Sequence, residues 1–197
     1  MCGRYDFGEI EGSIKILERA KALHPGADVR TGEIFPTNLA PIVRLAGGKV
    51  QPDLCRWGYP KWKGSGVIIN ARAETAEEKR TFRESLLQRR CVIPTTGFYE
   101  WSHDEAHQKY LFKLPGEGML YLAGFWGDFQ GEGRFCILTR EANRSMADIH
   151  DRMPLVLQTG QVRRWVQDMD FAHQCLQAAL PEPVSYTHLT LPTICSV

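Results

Sequence analysis

Short apolar runs broken by glycine and proline fill most of this chain, and their spacing sets the element types. Ile10, Ile14, Ile16, Leu17 and Ala20 recur at helical intervals, which predicts a helix over roughly Phe7 to Leu23, stopped by His24-Pro25-Gly26. Phe35 to Pro41 reads as an extended, proline-fixed loop leading into Ile42-Val43-Arg44-Leu45. Gly47-Gly48 then turns the chain back through Leu54-Cys55-Arg56-Trp57-Gly58. Val67 to Asn70 is a short apolar strand, and Thr75 to Gln88 a charged helix. Cys91–Pro94, Gly97–Trp101, Lys109–Leu114, Met119–Trp126 and Arg134–Thr139 are strand-like runs separated by turns. Ala142–Ala147 reads as a short helix, and Gln161–Met169 as another after Val156-Leu157. Strands dominate the middle and helices flank them. The pattern predicts a single α+β domain around a mostly antiparallel, barrel-like β-sheet core.

Composition changes this picture little. In 197 residues, 43% apolar and 24% charged, there is enough core for one domain. The net charge of +1 neither requires nor excludes nucleic acid. Its distribution says more, because Arg56 to Arg90 carries nine Lys/Arg against four Asp/Glu. Glu77, Glu78, Lys79, Arg80, Arg83 and Glu84 also pair well at helical spacing, so a solvated helix face accounts for part of that excess. Cysteines at 2, 55, 91, 136, 175 and 195 form no C-x-x-C, which argues against a zinc site or a disulfide framework. No targeting segment or membrane span is expected, so the chain reads as a cytoplasmic monomer without metal or cofactor.

Cys2 is the sharpest chemical feature. Loss of Met1 leaves an α-amine and a thiol on adjacent carbons, with ordinary pKa values of about 7.7–8.0 and about 8.5. Useful fractions of both nucleophiles are then expected near neutrality. Such a 1,2-aminothiol condenses with an aldehyde to an imine and closes a five-membered thiazolidine. An internal cysteine cannot, because its nitrogen is held in a peptide bond.

Further motifs follow in order: Met1-Cys2-Gly3-Arg4, Pro36 to Pro41, Trp57-Gly58, Asn70 to Thr75, Arg89 to Pro94 and Gly97 to Trp101. Ala123 to Trp126, Ile137 to Asn143 and His150 to Pro154 complete the set. Together they resemble the SOS-response-associated peptidase family, whose members crosslink to abasic sites in DNA. The resemblance covers about residues 2–185. It implies Cys2 as nucleophile, with Asn70, Glu100 and His150 as active-site partners. It implies Arg72 and Arg152 on DNA phosphates, Trp101 beside the site, and Pro36 and Asn38 in a loop against DNA. Arg4, Trp62 and Met153 join these as DNA-contacting candidates, while Trp57 and Trp126 are assigned to the core.

The chemistry fits those residue types. Glu100, buried beside Tyr99 and Trp101, would open the closed sugar by moving a proton. His150 would exchange a proton during imine formation or bind the sugar hydroxyls. Asn70 would orient the amine or the aldehyde oxygen. The implied partner is single-stranded DNA carrying abasic sites, in a bacterial cytoplasm and on the nucleoid when bound. The implied enzyme removes its own Met1 and reverses its crosslink as a lyase. Two other classes remain open: an N-terminal-nucleophile amidohydrolase of the glutamine amidotransferase kind, and a non-covalent binder of single-stranded or modified DNA.

Plainer readings compete for each residue, such as Arg72 paired with Glu74 or Glu77. Residues 186–197 match nothing in the family pattern and read as foreign sequence, from gene read-through or a cloning or sequencing adapter. Regular pairing of that stretch into the main sheet would count against this.

Overall fold

The computed structural model describes residues 2–103, 105, 107–113 and 118–177, together with the backbone of 187–190. Strand β1 (Arg4–Phe7) precedes helix α1 (Glu11–Leu23), so Phe7 belongs to a strand and the helix begins later than its apolar spacing suggests. Ser13 explains the start, because its hydroxyl accepts the Ile10 N–H at 2.9 Å and donates to the Gly8 carbonyl. Then come β2 (Gly32–Ile34), β3 (Leu39–Ala46), β4 (Lys49–Trp57), β5 (Tyr59–Pro60), β6 (Val67–Ile68) and β7 (Asn70–Arg72). Helix α2 (Arg80–Gln88) is shorter than expected, with turns over the residues before it. Ala73 and Ala76 are buried there. After it come β8 (Arg90–Thr95), β9 (Gly97–Trp101), β10 (Lys109–Lys113), β11 (Leu120–Phe129) and β12 (Glu132–Glu141). Turns replace the short helix expected at Ala142–Ala147. β13 (Arg152–Pro154), β14 (Val156–Leu157), α3 (Val162–Gln167), α4 (Met169–Gln177) and β15 (Thr187–Thr190) complete the order.

Five strands close on themselves. β4 pairs β3, β3 pairs β8, β8 pairs β11, and β11 pairs β12. A parallel contact from β12 back to β4, Phe135 against Trp57, completes the ring and removes its free edges. Gly47 and Gly48, both at positive φ, make the β3–β4 hairpin turn the sequence predicts. A second sheet runs β15-β10-β9-β1-β2. One cluster of buried residues, including Tyr5, Ile34, Phe98 and Phe112, joins the second sheet to Ile42, Trp57, Ile93 and Phe135 of the barrel. Another packs Trp165, Phe171 and Leu86 of the helices against Val92, Phe125 and Leu138. Trp57 is core as expected, its indole N–H donating to the Ile69 carbonyl at 3.1 Å. Trp126 is only partly buried, under the Arg44 guanidinium.

Thr187–Thr190 pairs antiparallel with β10 as the outermost strand. These four residues are the described part of the segment read as foreign, and 186 and 191–197 lie outside the described residues. A backbone ladder is indifferent to the side chains it carries, so an open sheet edge accepts extended chain of any source.

Candidate active site

Four residues from distant parts of the chain meet at the seam between the five-stranded sheet and the barrel. Cys2, just before β1, is fully buried. Its carbonyl accepts the Asn70 side-chain amide at 2.8 Å. Asn70 is placed by β7, which lies parallel to β12 with Asn70 opposite Ile137. The amide oxygen of Asn70 is buried and has no partner among the described residues, which leaves an acceptor beside Cys2.

Glu100 lies on β9 and is 3% exposed. Side chains alternate along a strand, and cross-strand partners share a face. Glu100 stands opposite Tyr110, whereas Tyr99 and Trp101 stand opposite Leu111 and Lys109. Tyr99 and Trp101 therefore point to the other side of the sheet, and the expectation that they bury Glu100 fails. Its enclosure comes from the core on the Phe98 side. Burial raises its pKa to about 7.

His150 precedes β13 and is buried, with Nε2 at 4.0 Å from a Glu100 oxygen. Its Nδ1 accepts the Arg152 backbone N–H at 2.9 Å, while an Asp151 carboxylate oxygen lies at 2.9 Å from the same nitrogen. An amide hydrogen is fixed in place, so Nδ1 is the acceptor and the neutral ring carries its proton on Nε2, toward Glu100. Burial lowers the His150 pKa and favours that neutral form.

The Cys2 thiol departs from expectation. Burial pushes its pKa far above the ordinary thiol range, and the negative charge of Glu100 pushes it further. In the chain that still carries Met1 the thiol is protonated at neutral pH. It needs a nearby base to react as a thiolate.

The arginines divide. Arg152 forks onto both oxygens of Glu74 at 2.8 Å and donates to the Thr139 carbonyl at 2.7 Å. The bidentate geometry expected to grip a phosphate is thus spent inside the protein, and it is Arg152 rather than Arg72 that Glu74 takes. Arg72, at the end of β7, is exposed, and its side chain has no ion pair among the described residues. Met153 turns inward. It is 5% exposed in the core, and its sulfur accepts the Asn143 N–H, so its side chain is not at the surface.

Trp62 is 95% exposed, carried between Lys61 and Lys63 on a loop joining β5 to β6. Pro36 and Asn38 lie in a tight turn. The Asn38 N–H reaches the Phe35 carbonyl at 3.1 Å, and the Asn38 side chain accepts the Phe35 N–H at 3.0 Å. Thr37 sits at φ 72°, an unusual conformation for a β-branched residue, held by a hydrogen bond from its N–H to the Trp57 carbonyl. The turn presents exposed Phe35 beneath the Arg4 guanidinium, 4.5 Å from the ring centre. Arg4 also lies 5.0 Å from the Trp101 ring centre and pairs with Glu33 at 3.1 Å. Phe35, Glu33 and Lys109 were not singled out in the sequence. Only cross-strand register brings them to Arg4 and Trp101.

Donor atoms of His103, His150 and Asp151 all lie within 4.8 Å of one another, close to what a metal ion needs. The ligands come from segments far apart in the chain, so spacing along the sequence did not reveal them. With Nδ1 of His150 already bonded to an amide, the group is ill prepared for a metal. Among the described residues no helix is long and apolar enough to cross a membrane.

The sequence pattern of the family described as SOS response associated peptidase (SRAP) matches residues 1–196, running past the boundary at 185 inferred from the motifs. The abasic site processing protein YoqW of Bacillus subtilis is 32% identical over 194 residues, covering 90% of this chain and 87% of that protein. YoaM of the same organism, also named an abasic site processing protein, is 37% identical over 167 residues, 76% and 74% of the two chains. A solved structure from Bacteroides thetaiotaomicron superimposes with a TM-score of 0.76 at 21% identity, covering 98% of this chain and 93% of its own, which establishes the shared fold.

Proposed function

The chain belongs to the SOS response associated peptidase family, and from that premise we propose that it captures abasic sites in single-stranded DNA covalently through Cys2. The observation that carries this reading is the convergence of Cys2, Asn70, Glu100 and His150 in one buried seam, with Glu100 poised at about 7. Relatives named abasic site processing proteins support the choice of substrate. All proposed site residues lie within residues 2–185, the proposed domain.

The chemistry follows from the proton inventory. Removal of Met1 frees the Cys2 amine. Protonated Glu100 donates to the ring oxygen of the closed sugar as its C1–O bond opens to the aldehyde, and the C1 hydroxyl gives up its proton to the medium. The amine nitrogen attacks C1, water leaves, and an imine remains. The thiol then adds to C1 while its proton passes through the Glu100 carboxylate to the imine nitrogen. Ring closure thus creates no net charge in the buried site, which suits a thiol whose ionisation burial opposes. His150, with its proton on Nε2, donates a hydrogen bond to a sugar oxygen. Asn70 holds the Cys2 carbonyl and offers its free oxygen to the amine. Arg72 and Trp62 meet phosphate and base, with Pro36 and Asn38 shaping the loop beside them.

The test is incubation with an abasic single-stranded oligonucleotide, read on a denaturing gel and by intact mass. An adduct formed with protein lacking Met1 is expected, its mass equal to the two reactants less one water. Absence of the adduct, or adduct formation by protein that retains Met1, would overturn the reading. Ammonia release from glutamine would favour the amidohydrolase class instead.

A further inference from the structure

The outer face of the five-stranded sheet holds a second arrangement that the crosslinking chemistry does not use. One oxygen of Glu33 accepts from Arg4 at 3.1 Å and from Lys109 at 2.7 Å. Phe35 and Trp101 flank the Arg4 guanidinium, and the Lys109 ammonium lies 4.1 Å from the Tyr99 ring centre. Register explains the assembly: Arg4 lies opposite Tyr99, and Trp101 opposite Lys109, so all four share one face. The result is two cations between aromatic planes, gathered on a single carboxylate oxygen. Cations that share one oxygen are spaced so that one phosphate can bridge both. The neighbouring rings offer flat apolar surface to an unstacked base.

We infer that Glu33 is an internal stand-in for a DNA phosphate: it holds Arg4 and Lys109 together in the free protein, and a single strand displaces it. This makes Lys109 a further DNA-contacting residue, and it rests on the function proposed above. Glu33 also sets a threshold. A polyanion lacking unstacked bases must displace the carboxylate by charge alone, whereas a single strand adds stacking on Phe35 and Trp101.

The experiment measures binding of the full chain to an undamaged single-stranded oligonucleotide, which has no aldehyde to crosslink, across a salt series. Glu33→Gln is expected to bind about threefold tighter or more at low salt, because Arg4 and Lys109 no longer have to be freed from a carboxylate before they meet the phosphate. Adding Lys109→Met should remove most of that gain. Glu33→Gln that melts like wild type yet binds no tighter would overturn the inference. Should Glu33→Gln fold poorly, Lys109→Met alone decides: a shallower slope supports the inference, and an unchanged slope overturns it. Failure of the underlying function looks different, since wild-type protein would then bind no single strand and form no adduct.

Discussion

Strand β9 serves two faces with different physics. Glu100 points inward to a water-poor seam, where burial lifts its pKa to about 7 and holds the Cys2 thiol protonated. Trp101, its neighbour, points outward to a half-open surface where Arg4 and Lys109 both pair with Glu33. A charge is costly on the first face and ordinary on the second. The inner face is suited to moving protons and the outer face to holding an anionic polymer. Substitutions on the inner face should therefore change the rate of adduct formation and leave affinity alone, and those at the surface should do the reverse.

The largest expected effect is Cys2→Ala. Adduct should fall below detection on a denaturing gel, while affinity for undamaged single strand stays within about twofold of wild type. A covalent adduct surviving in this variant would place the nucleophile elsewhere and collapse the division between the faces. Glu100→Gln comes next, with adduct formation slowed about 100-fold or more at unchanged affinity. The wild-type rate should change through pH about 7, the range set by the Glu100 pKa, and the variant should lose that inflection. Stability supplies an independent check. A carboxyl raised from 4.5 to about 7 binds its proton more tightly folded than unfolded. Its contribution is therefore fully present below about pH 4.5, declines as pH rises, and is lost above about 7. Glu100→Gln should thus be more stable than wild type above pH 7, by on the order of 1–3 kcal/mol, and melt higher there. Equal melting across that range would mean that burial of Glu100 carries no such penalty.

How far the sequence foretold this differs between the faces. The α+β class, the Gly47-Gly48 hairpin and the buried Trp57 were legible because turn residues and apolar runs act locally. The strand at Arg4–Phe7 was missed because helical spacing beginning at Ile10 extends its signal backward, and no local pattern reports pairing with Gly32. Inner-face candidates were legible only through family motifs. Motifs named Asn70, Glu100 and His150, but not that Arg152 fixes the His150 tautomer through its backbone N–H. The inward side chain of Met153 was not legible, because the motif His150 to Pro154 does not say which of its residues turn inward. Glu33 and Lys109 could not be read at all. They meet Arg4 through register across four strands, and register is a property of the assembled sheet.

Among surface contacts, Trp62→Ala should be the most damaging. At 95% exposure the ring contributes nothing to the core, so melting should be unchanged within about 0.5 kcal/mol. Loss of one stacking plane should weaken single-strand binding about fivefold to tenfold or more. Adduct formation at saturating DNA should keep its wild-type rate. A slowed rate at saturation would show that the loop also positions the sugar, blurring the separation of the two faces.

Arg72→Ala gives the smallest effect and the finest discrimination. Arg72 and Arg152 were expected to act alike, but Glu74 occupies the fork of Arg152 while the side chain of Arg72 has no ion pair among the described residues. A cation free to meet a phosphate contributes about 0.7 to the salt slope of single-strand binding. Arg72→Ala should lower the slope by about that amount and weaken binding a few-fold at low salt, equally for every base sequence, because phosphate contacts carry no sequence information. Its stability should not move. Arg152→Ala should instead lower the melting temperature, since it removes the two-pronged pair with Glu74 and one of the hydrogen bonds to the Thr139 carbonyl, which keeps the Ala73 N–H. If Arg72→Ala left the slope unchanged, or if both arginines lowered it equally without loss of stability, DNA would have to pull Arg152 away from Glu74 on binding. The free and bound forms would then differ in their ion pairing at this edge of the site.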